Sequence, residues 1–328
     1  MNKIIPQKLK HGDVVRIITP SGSLASKTPE EVQVAQKQFE ELGLKVTYGK
    51  SIYESDMLTS SSTNSRLQDL HEAFADKNIK AIICAKGGFN ANQLLDQIDY
   101  ELIKNNPKII CGYSDITALN VAIYAKTGLV TYMSPTFSSF THGTIDPYTL
   151  SYFKKALFTN DEYEVTPSES YKDWTNIDEN GVEMEIKNEG YWIINEGEAN
   201  GTLIAENLCT LNLLQGTEYF PDITNAILFI EDDYESKEGN FLRDLQSLLQ
   251  QQNAHTIQGL VIGRFQKASN IDKEKLIYML STFPQLKKIP IIANIDFGHT
   301  EPRITMPVGA NAKISGRNNK IHIGIQNR

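Results

Sequence analysis

The stretch KIICGYSDITALN, residues 108–120, joins a strand pattern directly to a helix pattern. Ile109, Ile110 and Cys111 are consecutive apolar residues, as expected of a short strand that is buried on both faces. Apolar residues recur at helical spacing immediately after Ser114, with no loop signal between the two patterns. This seam predicts a strand-to-helix turn of an α/β sheet, with a serine at the carboxyl end of the strand.

The same alternation of strand and helix patterns extends over the first 130 residues. Buried strand patterns occur at VVRIITP (14–20), LKVTY (44–48) and AIICAKGG (81–88). Helical patterns lie between them, and the first begins at Thr28-Pro29-Glu30-Glu31, where Thr and Glu have the spacing of a capping box. Short apolar strands that alternate with helices predict a parallel sheet with helices on both faces, whose ligands bind at the carboxyl ends of the strands.

A second α/β block is predicted after residue 200. Its strand patterns are NAILFIEDD (225–233), GLVIGRF (259–265) and PIIANIDFGHT (290–300), with helical patterns between them. The stretch before this block is polar, acidic and aromatic without clear periodicity, so we interpret it as a connector with short strands and a functional loop. We therefore expect an N-terminal α/β domain, a connector with a substrate loop, and a C-terminal α/β domain, at 1–150, 151–200 and 201–328.

The overall composition argues against several classes of protein. Net charge is −8 over 328 residues, which argues against nucleic-acid binding because affinity for phosphate backbones comes mostly from Lys and Arg. No apolar run reaches the length of a membrane span, and the N-terminal residues lack a signal-peptide pattern. The three cysteines and six histidines show no metal-ligand spacing. We therefore expect a cytoplasmic protein with no metal, cofactor, nucleic-acid or membrane partner.

Ser114 is the first candidate for chemistry. A strand that runs into a helix without a loop exposes one side chain at the sheet edge and places the following N–H groups at a helix N-terminus. That arrangement suits a nucleophile, since the N–H groups stabilise the charge that develops on an attacked carbonyl. The usual elbow is G-x-S-x-G, and here Ile116 stands in place of the second glycine. The alternative is that Ser114 or Asp115 only caps the helix.

A nucleophilic serine requires a base and a residue that orients the base. His299 and Glu231 each follow an apolar strand pattern, so both are expected at strand carboxyl ends. Either could instead be an ordinary surface or paired residue, and Asp232 and Asp233 compete with Glu231 for any role. Gly87-Gly88 ends another strand, where it either lets the backbone approach a ligand closely or forms only a tight turn.

Five longer motifs resemble those of one known family. They are, in chain order, AKGGFNANQLL (85–95), GYSDITALN (112–120), NLCTLNLLQGTEYFPD (207–222), ILFIEDDYES (227–236) and DFGHT (296–300). Together they resemble the LD-carboxypeptidase family of serine peptidases, which includes the microcin C self-immunity proteins. The resemblance implies a flavodoxin-like N-terminal domain and a C-terminal mixed α/β domain of the swivelling type. It also implies a homodimer and no metal.

The resemblance further implies roles for individual residues. Ser114 matches the family's nucleophile, Glu231 matches the carboxylate of its triad, and His299 matches its base. The backbone N–H groups of Asp115 and Gly88 match its oxyanion hole, which would stabilise the tetrahedral intermediate of acyl transfer.

Substrate contacts follow from the same resemblance. Asn207 resembles a substrate-contacting asparagine, although Glu206 stands where many members have glycine. Trp174 resembles the tryptophan that stacks on a nucleotide base in the immunity branch, with Trp192 as the competing candidate.

Arg264 and Arg303 are candidate partners of a substrate carboxylate or phosphate, because the guanidinium fork matches the geometry of these groups. Alternatively, they form surface ion pairs.

Three functions are compatible with the sequence. The first function is hydrolysis of the amide between an aminoacyl group and a nucleotide, as in the immunity branch. The second is removal of the terminal D-alanine from a muropeptide tetrapeptide in cell-wall recycling. The third is a binding protein with a decayed triad. The presence of all three residue types of the triad argues against this function.

Overall fold

The structure, a computed structural model, describes residues 2–327. The chain forms two compact units, each built from segments that are separate in the sequence. The first unit contains the chain up to Asn160 together with Gly216–Pro221 and Thr305–Gly309. The second unit contains Asp161–Gln215, Asp222–Ile304 and the chain from Ala310 onward. The domain boundaries expected from the sequence stay a prediction.

The regular elements are numbered in chain order. The strands are β1 Val14–Ile18, β2 Lys45–Tyr48, β3 Ile79–Cys84, β4 Ile109–Gly112, β5 Thr131–Met133, β6 Tyr163–Glu164, β7 Ser170–Ile177, β8 Glu183–Lys187, β9 Trp192–Asn195, β10 Gly197–Asn207, β11 Ala226–Glu231, β12 Gly259–Gly263, β13 Ile291–Ile295, β14 Met306–Val308, β15 Asn311–Arg317 and β16 Lys320–Gln326. The α-helices are α1 Pro29–Glu41, α2 Thr63–Ala75, α3 Tyr100–Asn105, α4 Thr117–Thr127, α5 Pro147–Phe158, α6 Leu208–Asn212, α7 Glu238–Leu249 and α8 Lys273–Ser281.

A six-stranded sheet lies at the centre of the first unit, in the order β2-β1-β3-β4-β5-β14. Strands β1 to β5 are parallel, and β14 pairs antiparallel with β5 at the edge. The order 2-1-3-4-5 is that of flavodoxin-like folds, so the prediction of such a sheet is confirmed. Strands β3, β4 and β5 are almost wholly buried, as expected of parallel strands that are covered on both faces.

The start of α1 illustrates how local sequence determines these elements. The Thr28 hydroxyl accepts a hydrogen bond from the Glu31 N–H at 3.2 Å, and the Glu31 carboxylate accepts one from the Thr28 N–H at 2.8 Å. This reciprocal pair is the predicted capping box, and Pro29 occupies the first helical turn. Val32, Ala35 and Phe39 then form the buried face of the helix.

The second unit contains an eight-stranded mixed sheet, in the order β6-β16-β15-β10-β11-β12-β13-β9. Strands β10 to β13 are parallel neighbours, and the flanking strands pair antiparallel. Strands β7 and β8 form a separate antiparallel pair. The mixed α/β fold predicted for the C-terminal part is confirmed.

One helix lies where the sequence predicted a connector with short strands only. Helix α5 begins after Asp146, whose carboxylate accepts a hydrogen bond from the Tyr148 N–H at 2.8 Å, and Pro147 is its first residue. Tyr152, Phe153 and other residues at helical spacing form its buried face. The acidic, aromatic stretch that follows α5 has no clear periodicity, and next to it the short helical pattern of α5 gives only a weak signal.

The candidate residues lie at the carboxyl ends of parallel strands in both units. In the first unit, the loop after β3 carries Gly87-Gly88 and the turn after β4 carries Ser114. In the second unit, Asn207 and Glu231 end β10 and β11, and His299 follows β13. Within residues 2–327, no helix combines the length and apolar character that crossing a bilayer requires.

Candidate active site

Ser114 follows β4 almost directly and begins a 3-10 turn, Ser114–Ile116, that leads into α4. Its φ is +62°, a left-handed conformation that costs a non-glycine residue about 1–2 kcal/mol. Tyr113 before it is extended, with φ −142°, so the chain turns sharply at the serine. The serine is half-buried at the sheet edge. A sharp, strained strand-to-helix turn of this kind is how a nucleophilic hydroxyl is presented in α/β hydrolases.

The alternative that Ser114 or Asp115 only caps the helix is wrong. The N-cap residues are Tyr113 for the 3-10 turn and Ile116 for α4. Neither makes a side-chain capping hydrogen bond within the described part of the chain. The Asp115 carboxylate instead accepts hydrogen bonds from the N–H groups of Asn90 and Ala91, both at 2.9 Å.

The replacement of the elbow's second glycine by isoleucine has a packing explanation. Ile116 is fully buried, and a Cβ on Gly112 would lie only 2.6 Å from its Cγ2 atom. The glycine at the start of the turn therefore leaves room for a large side chain at its end.

The loop after β3 places its double glycine against the serine. A Cβ on Gly87 would lie 3.1 Å from the Ser114 Cβ, 3.3 Å from its Oγ and 3.7 Å from the backbone N of Asp115. Because glycine has no side chain, the loop backbone approaches the serine closely. The N–H groups of Gly88 and Asp115 thus belong to the two segments that adjoin the Ser114 hydroxyl.

Glu231 and His299 form a buried pair in the second unit. The His299 Nδ1 atom lies 2.7 Å from the Glu231 Oε2 atom, and the side chains are 12% and 1% exposed, respectively. Burial disfavours the imidazolium, but the Glu231 carboxylate outweighs this effect and raises the pKa of His299. A carboxylate bonded to Nδ1 leaves Nε2 as the nitrogen that takes up a proton, which is the arrangement of a general base and its orienting residue.

Two glycines confine the Glu231 side chain. A Cβ on Gly298, whose φ is +100°, would lie 2.6 Å from the Glu231 Oε2 atom. A Cβ on Gly263 would lie 2.9 Å from the Glu231 Cβ. The carboxylate therefore has little freedom to move away from His299.

Asn207 and Asp232 complete a polar cluster around Glu231. The Asn207 Nδ2 atom donates to Glu231 Oε1 at 3.1 Å and to Asp232 Oδ1 at 3.3 Å, while its Oδ1 accepts from the Thr210 N–H and caps α6. Asp232 is 1% exposed. Its burial, and then the nearby charge of Glu231, raise its pKa to about 7. From the sequence, Asp232 is only a competitor of Glu231, although three acidic residues in succession, Glu231 to Asp233, at the end of an apolar strand are a visible signal.

The two tryptophans differ in exposure and contacts. Trp174 lies on β7, is 49% exposed, and packs edge-on against Tyr234 with ring centroids 4.8 Å apart. Trp192 donates its Nε1–H to the Glu189 carboxylate at 2.9 Å, and the Lys273 ammonium lies 5.5 Å from its ring centroid. Trp174 is therefore the more exposed of the two indoles.

The two arginines are both buried. Arg264 is 3% exposed, and its guanidinium donates to Asp296 at 2.7 Å and to the Asn294 side chain at 3.1 Å. These contacts favour a structural role for Arg264. Arg303 is 6% exposed and pairs with Glu301 at 3.0 Å, and its charge opposes protonation of His299.

Glu206 lies in a regular strand. It is fully buried in β10, where it pairs with Ile230 in an unbroken parallel register, so the strand stays regular despite the departure from the family glycine.

Among residues 2–327, no group of three or more His, Cys, Asp or Glu side chains is arranged to hold a metal ion.

Comparison with known proteins identifies the family. Residues 15–134 match the LD-carboxypeptidase N-terminal domain, and residues 200–314 match the LD-carboxypeptidase C-terminal domain. "Putative carboxypeptidase YocD" of Bacillus subtilis is 48% identical over 94% of this chain and 94% of its own. "Probable murein peptide carboxypeptidase" of Bacillus subtilis is 31% identical over 94% and 91%, and "Microcin C7 self-immunity protein MccF" of Escherichia coli is 31% identical over 92% and 92%. The chain belongs to the LD-carboxypeptidase family.

Solved structures agree with this assignment. An MccF-like protein from Bacillus anthracis has a TM-score of 0.94 and 48% identity, with 98% of this chain and 99% of that chain covered. MccF in complex with glutamyl sulfamoyl guanosine has a TM-score of 0.86 and 30% identity, with 98% of both chains covered. Further structures of MccF contain aspartyl sulfamoyl adenosine or, in a tryptophan-to-phenylalanine mutant, adenosine monophosphate. The carboxypeptidase names of the relatives support a peptidase function.

Proposed function

We propose that the protein is a serine hydrolase that cleaves an amide bond, with Ser114 as nucleophile, His299 as general base and Glu231 as the residue that orients it. The observation that carries the proposal is the buried pair of His299 and Glu231, at 2.7 Å. The left-handed Ser114 turn supports it independently. Strained backbone and a buried acid–base pair are both features that functional sites retain at a cost in stability.

The reaction follows from these roles. The Nε2 atom of His299 takes the proton of the Ser114 hydroxyl as its oxygen attacks the amide carbonyl, and the N–H groups of Asp115 and Gly88 stabilise the oxyanion. The imidazolium then gives its proton to the leaving nitrogen, so that the C–N bond breaks and an acyl-enzyme forms. Water repeats the sequence against the acyl ester and releases the acid and the free serine. Glu231 stabilises the imidazolium in both halves of the cycle.

The proposed substrate is an aminoacyl nucleotide whose aminoacyl group is joined through an amide-type nitrogen. Trp174 supports this choice, because an exposed indole held by Tyr234 offers a stacking face to a nucleobase. The ligands of MccF are of the same chemical class. For the negative group of such a substrate we keep Arg303 as the candidate partner, and Asn207 remains a candidate contact through its position beside Glu231.

A second substrate, a muropeptide tetrapeptide with a terminal D-alanine, is favoured by the relative named as a murein peptide carboxypeptidase. The same triad would cleave it without a change of mechanism. A homodimer, which the family resemblance implies, stays a prediction.

Mass spectrometry of the products distinguishes the two substrates. Wild type, Ser114→Ala, Trp174→Ala and Trp192→Ala are each incubated with aspartyl sulfamoyl adenosine and, separately, with a tetrapeptide muropeptide. We expect wild type to release aspartate and sulfamoyl adenosine, and Ser114→Ala to release neither. Trp174→Ala should slow the turnover of aspartyl sulfamoyl adenosine but not that of the muropeptide. Trp192→Ala should not slow the turnover of aspartyl sulfamoyl adenosine. Turnover of the muropeptide alone would overturn the substrate choice. Turnover of neither substrate by folded wild type, or equal turnover by Ser114→Ala, would overturn the hydrolase assignment for these substrates.

A further inference from the structure

The Asp115 side chain joins the nucleophile turn to two other loops of the first unit. It is 4% exposed, and one carboxylate oxygen, Oδ2, accepts three hydrogen bonds. The donors are the Ser21 hydroxyl at 2.5 Å and the N–H groups of Asn90 and Ala91, both at 2.9 Å. Ser21 lies in the loop after β1, and Asn90 and Ala91 lie just beyond Gly87-Gly88 in the loop after β3. A single carboxylate thus fixes two loops relative to Ser114.

A buried arginine holds the same loops from the other side. Arg66 is 2% exposed, and its guanidinium donates to the carbonyl oxygens of Pro20 at 3.1 Å, Asn90 at 2.9 Å and Ser61 at 3.0 Å. Burial lowers the pKa of Arg66, and the charges of Asp56 and then Asp115 oppose that effect. Three loops are therefore tied together by one anion and one cation that solvent hardly reaches.

Gly87 and Gly88 pack closely against the loop after β1. The Gly22 N–H donates to the Gly87 carbonyl oxygen at 3.1 Å. A Cβ on Gly88 would lie 2.4 Å from the Ser21 hydroxyl and 3.0 Å from the Gly22 nitrogen. The position of the Gly88 N–H is thus determined by the loops that Asp115 and Arg66 hold.

We propose that the Asp115 carboxylate is a positioning group that holds the Gly88 N–H in register with the N–H of Asp115 itself. The inference rests on the proposed function, in which these two N–H groups stabilise the oxyanion. One residue then contributes one donor through its backbone and places the other through its side chain. Oxyanion donors act on the charge of the tetrahedral intermediate rather than on the ground-state carbonyl, so a misplaced donor lowers kcat more than it changes KM.

Asp69 provides a matched control in the same unit. It is 2% exposed, and its carboxylate accepts from the Lys50 N–H at 2.8 Å, the Ser51 N–H at 2.9 Å and the Ser51 hydroxyl at 2.5 Å. The donors are of the same kinds as at Asp115, two backbone N–H groups and one serine hydroxyl, but they are shared between both Asp69 oxygens, and the loop that Asp69 holds does not contain Gly87-Gly88. Asp115→Asn and Asp69→Asn therefore each neutralise one buried carboxylate that holds a loop.

The experiment compares Asp115→Asn, Ser21→Ala and Asp69→Asn by turnover, melting temperature and hydrogen exchange. For Asp115→Asn we expect kcat to fall about 10- to 100-fold with KM within about threefold of wild type. Ser21→Ala removes only one of the three donors to Asp115, so we expect it to be less destabilised than Asp115→Asn. Its kcat should also fall less than that of Asp115→Asn. Asp69→Asn loses as much melting temperature as Asp115→Asn but keeps its kcat within about twofold.

Hydrogen exchange tests the inference without any substrate. We expect amides of residues 86–92 to exchange at least about tenfold faster in Asp115→Asn than in wild type or Asp69→Asn. Unchanged exchange in that loop, or equal kcat in Asp115→Asn and Asp69→Asn, would overturn the inference. Failure of the proposed function has a different signature, since folded wild type would then turn over no amide while its loop still responded to Asp115→Asn.

Discussion

The Nδ1 atom of His299 lies 2.7 Å from the Oε2 atom of Glu231, whose side chain is 1% exposed. Removing a carboxylate from water is costly, so a buried one is retained where its charge has a partner. Here the partner is an imidazole that can change its charge near neutral pH. This relationship links the stability of the second unit and the proposed chemistry to the same proton.

The first prediction concerns the pH dependence of turnover. His299 must be neutral to accept the serine proton, and its pKa lies above the ordinary 6.5 because the Glu231 charge outweighs burial. We therefore expect kcat/KM to rise with pH through a midpoint above 6.5. Glu231→Gln removes the raising cause and leaves burial, which lowers the pKa, so the midpoint should move to lower pH while the plateau falls about 10²- to 10⁴-fold.

The control for this profile is Glu235→Gln, a neutralisation at an exposed position four residues further along the chain. It should leave both the midpoint and the plateau near their wild-type values. A midpoint that Glu231→Gln does not lower would contradict the assignment of the pH dependence of kcat/KM to His299.

The pair of His299 and Glu231 also stabilises the folded protein below the unfolded pKa of histidine. That contribution is lost as pH rises through the raised folded pKa of His299.

The second prediction concerns Asp232 and stability. Its folded pKa of about 7 exceeds the ordinary value of 3.8 because of burial and the Glu231 charge. Its contribution to the free energy of unfolding is therefore present below pH 3.8 and lost as pH rises toward 7. Asp232→Asn can still accept from Asn207 but cannot ionise, so its stability relative to wild type should increase between pH 5 and pH 8, by at most about 1.4 kcal/mol per unit of pKa shift.

Urea unfolding at the two pH values measures this difference. Asp222→Asn is a useful contrast, because bonds from Thr224 lower the pKa of Asp222 and its contribution is lost on acidification instead. A stability difference between Asp232→Asn and wild type that is the same at both pH values would refute the raised pKa.

The third prediction concerns Gly298, which packs against the Glu231 carboxylate. Gly298→Ala introduces a Cβ that would lie 2.6 Å from the Glu231 Oε2 atom, at a φ of +100° that alanine tolerates poorly. We expect turnover to fall at least about tenfold, because the carboxylate must shift from His299. Gly181→Ala, with φ +79° and no atom within 4 Å of the added Cβ, should show only the backbone cost in a melting experiment and full turnover. Equal turnover in the two variants would be evidence against a fixed Glu231 position.

Much of the framework could be predicted from short-range patterns. The apolar strands, the capping box at Thr28 and the position of Ser114 at a strand end all follow from local sequence, because each depends on residues a few positions apart. The assignment of Glu231 and His299 to strand ends also followed from the runs of apolar residues before them.

The remaining features depend on contacts between residues far apart in the chain. The hydrogen bond from Ser21 to Asp115 spans 94 positions, and no local pattern distinguishes it from an exposed pair. The sequence leaves Arg264 as either a partner of a substrate anion or a member of a surface ion pair, and in the structure it is buried and contacts Asp296 across 32 positions. Likewise, the raised pKa of Asp232 arises from burial, which the acidic run after β11 does not reveal.

The mass of the intact protein after reaction with a serine-reactive phosphonate probe tests most directly whether Ser114 is the nucleophile. We predict one adduct on wild type, which peptide mapping assigns to Ser114, and none on Ser114→Ala. His299→Ala should react far more slowly while keeping its fold, because the hydroxyl then lacks its base. A folded wild type that stays unlabelled, or a Ser114→Ala variant that labels as fast as wild type, would contradict the assignment of Ser114 as the nucleophile.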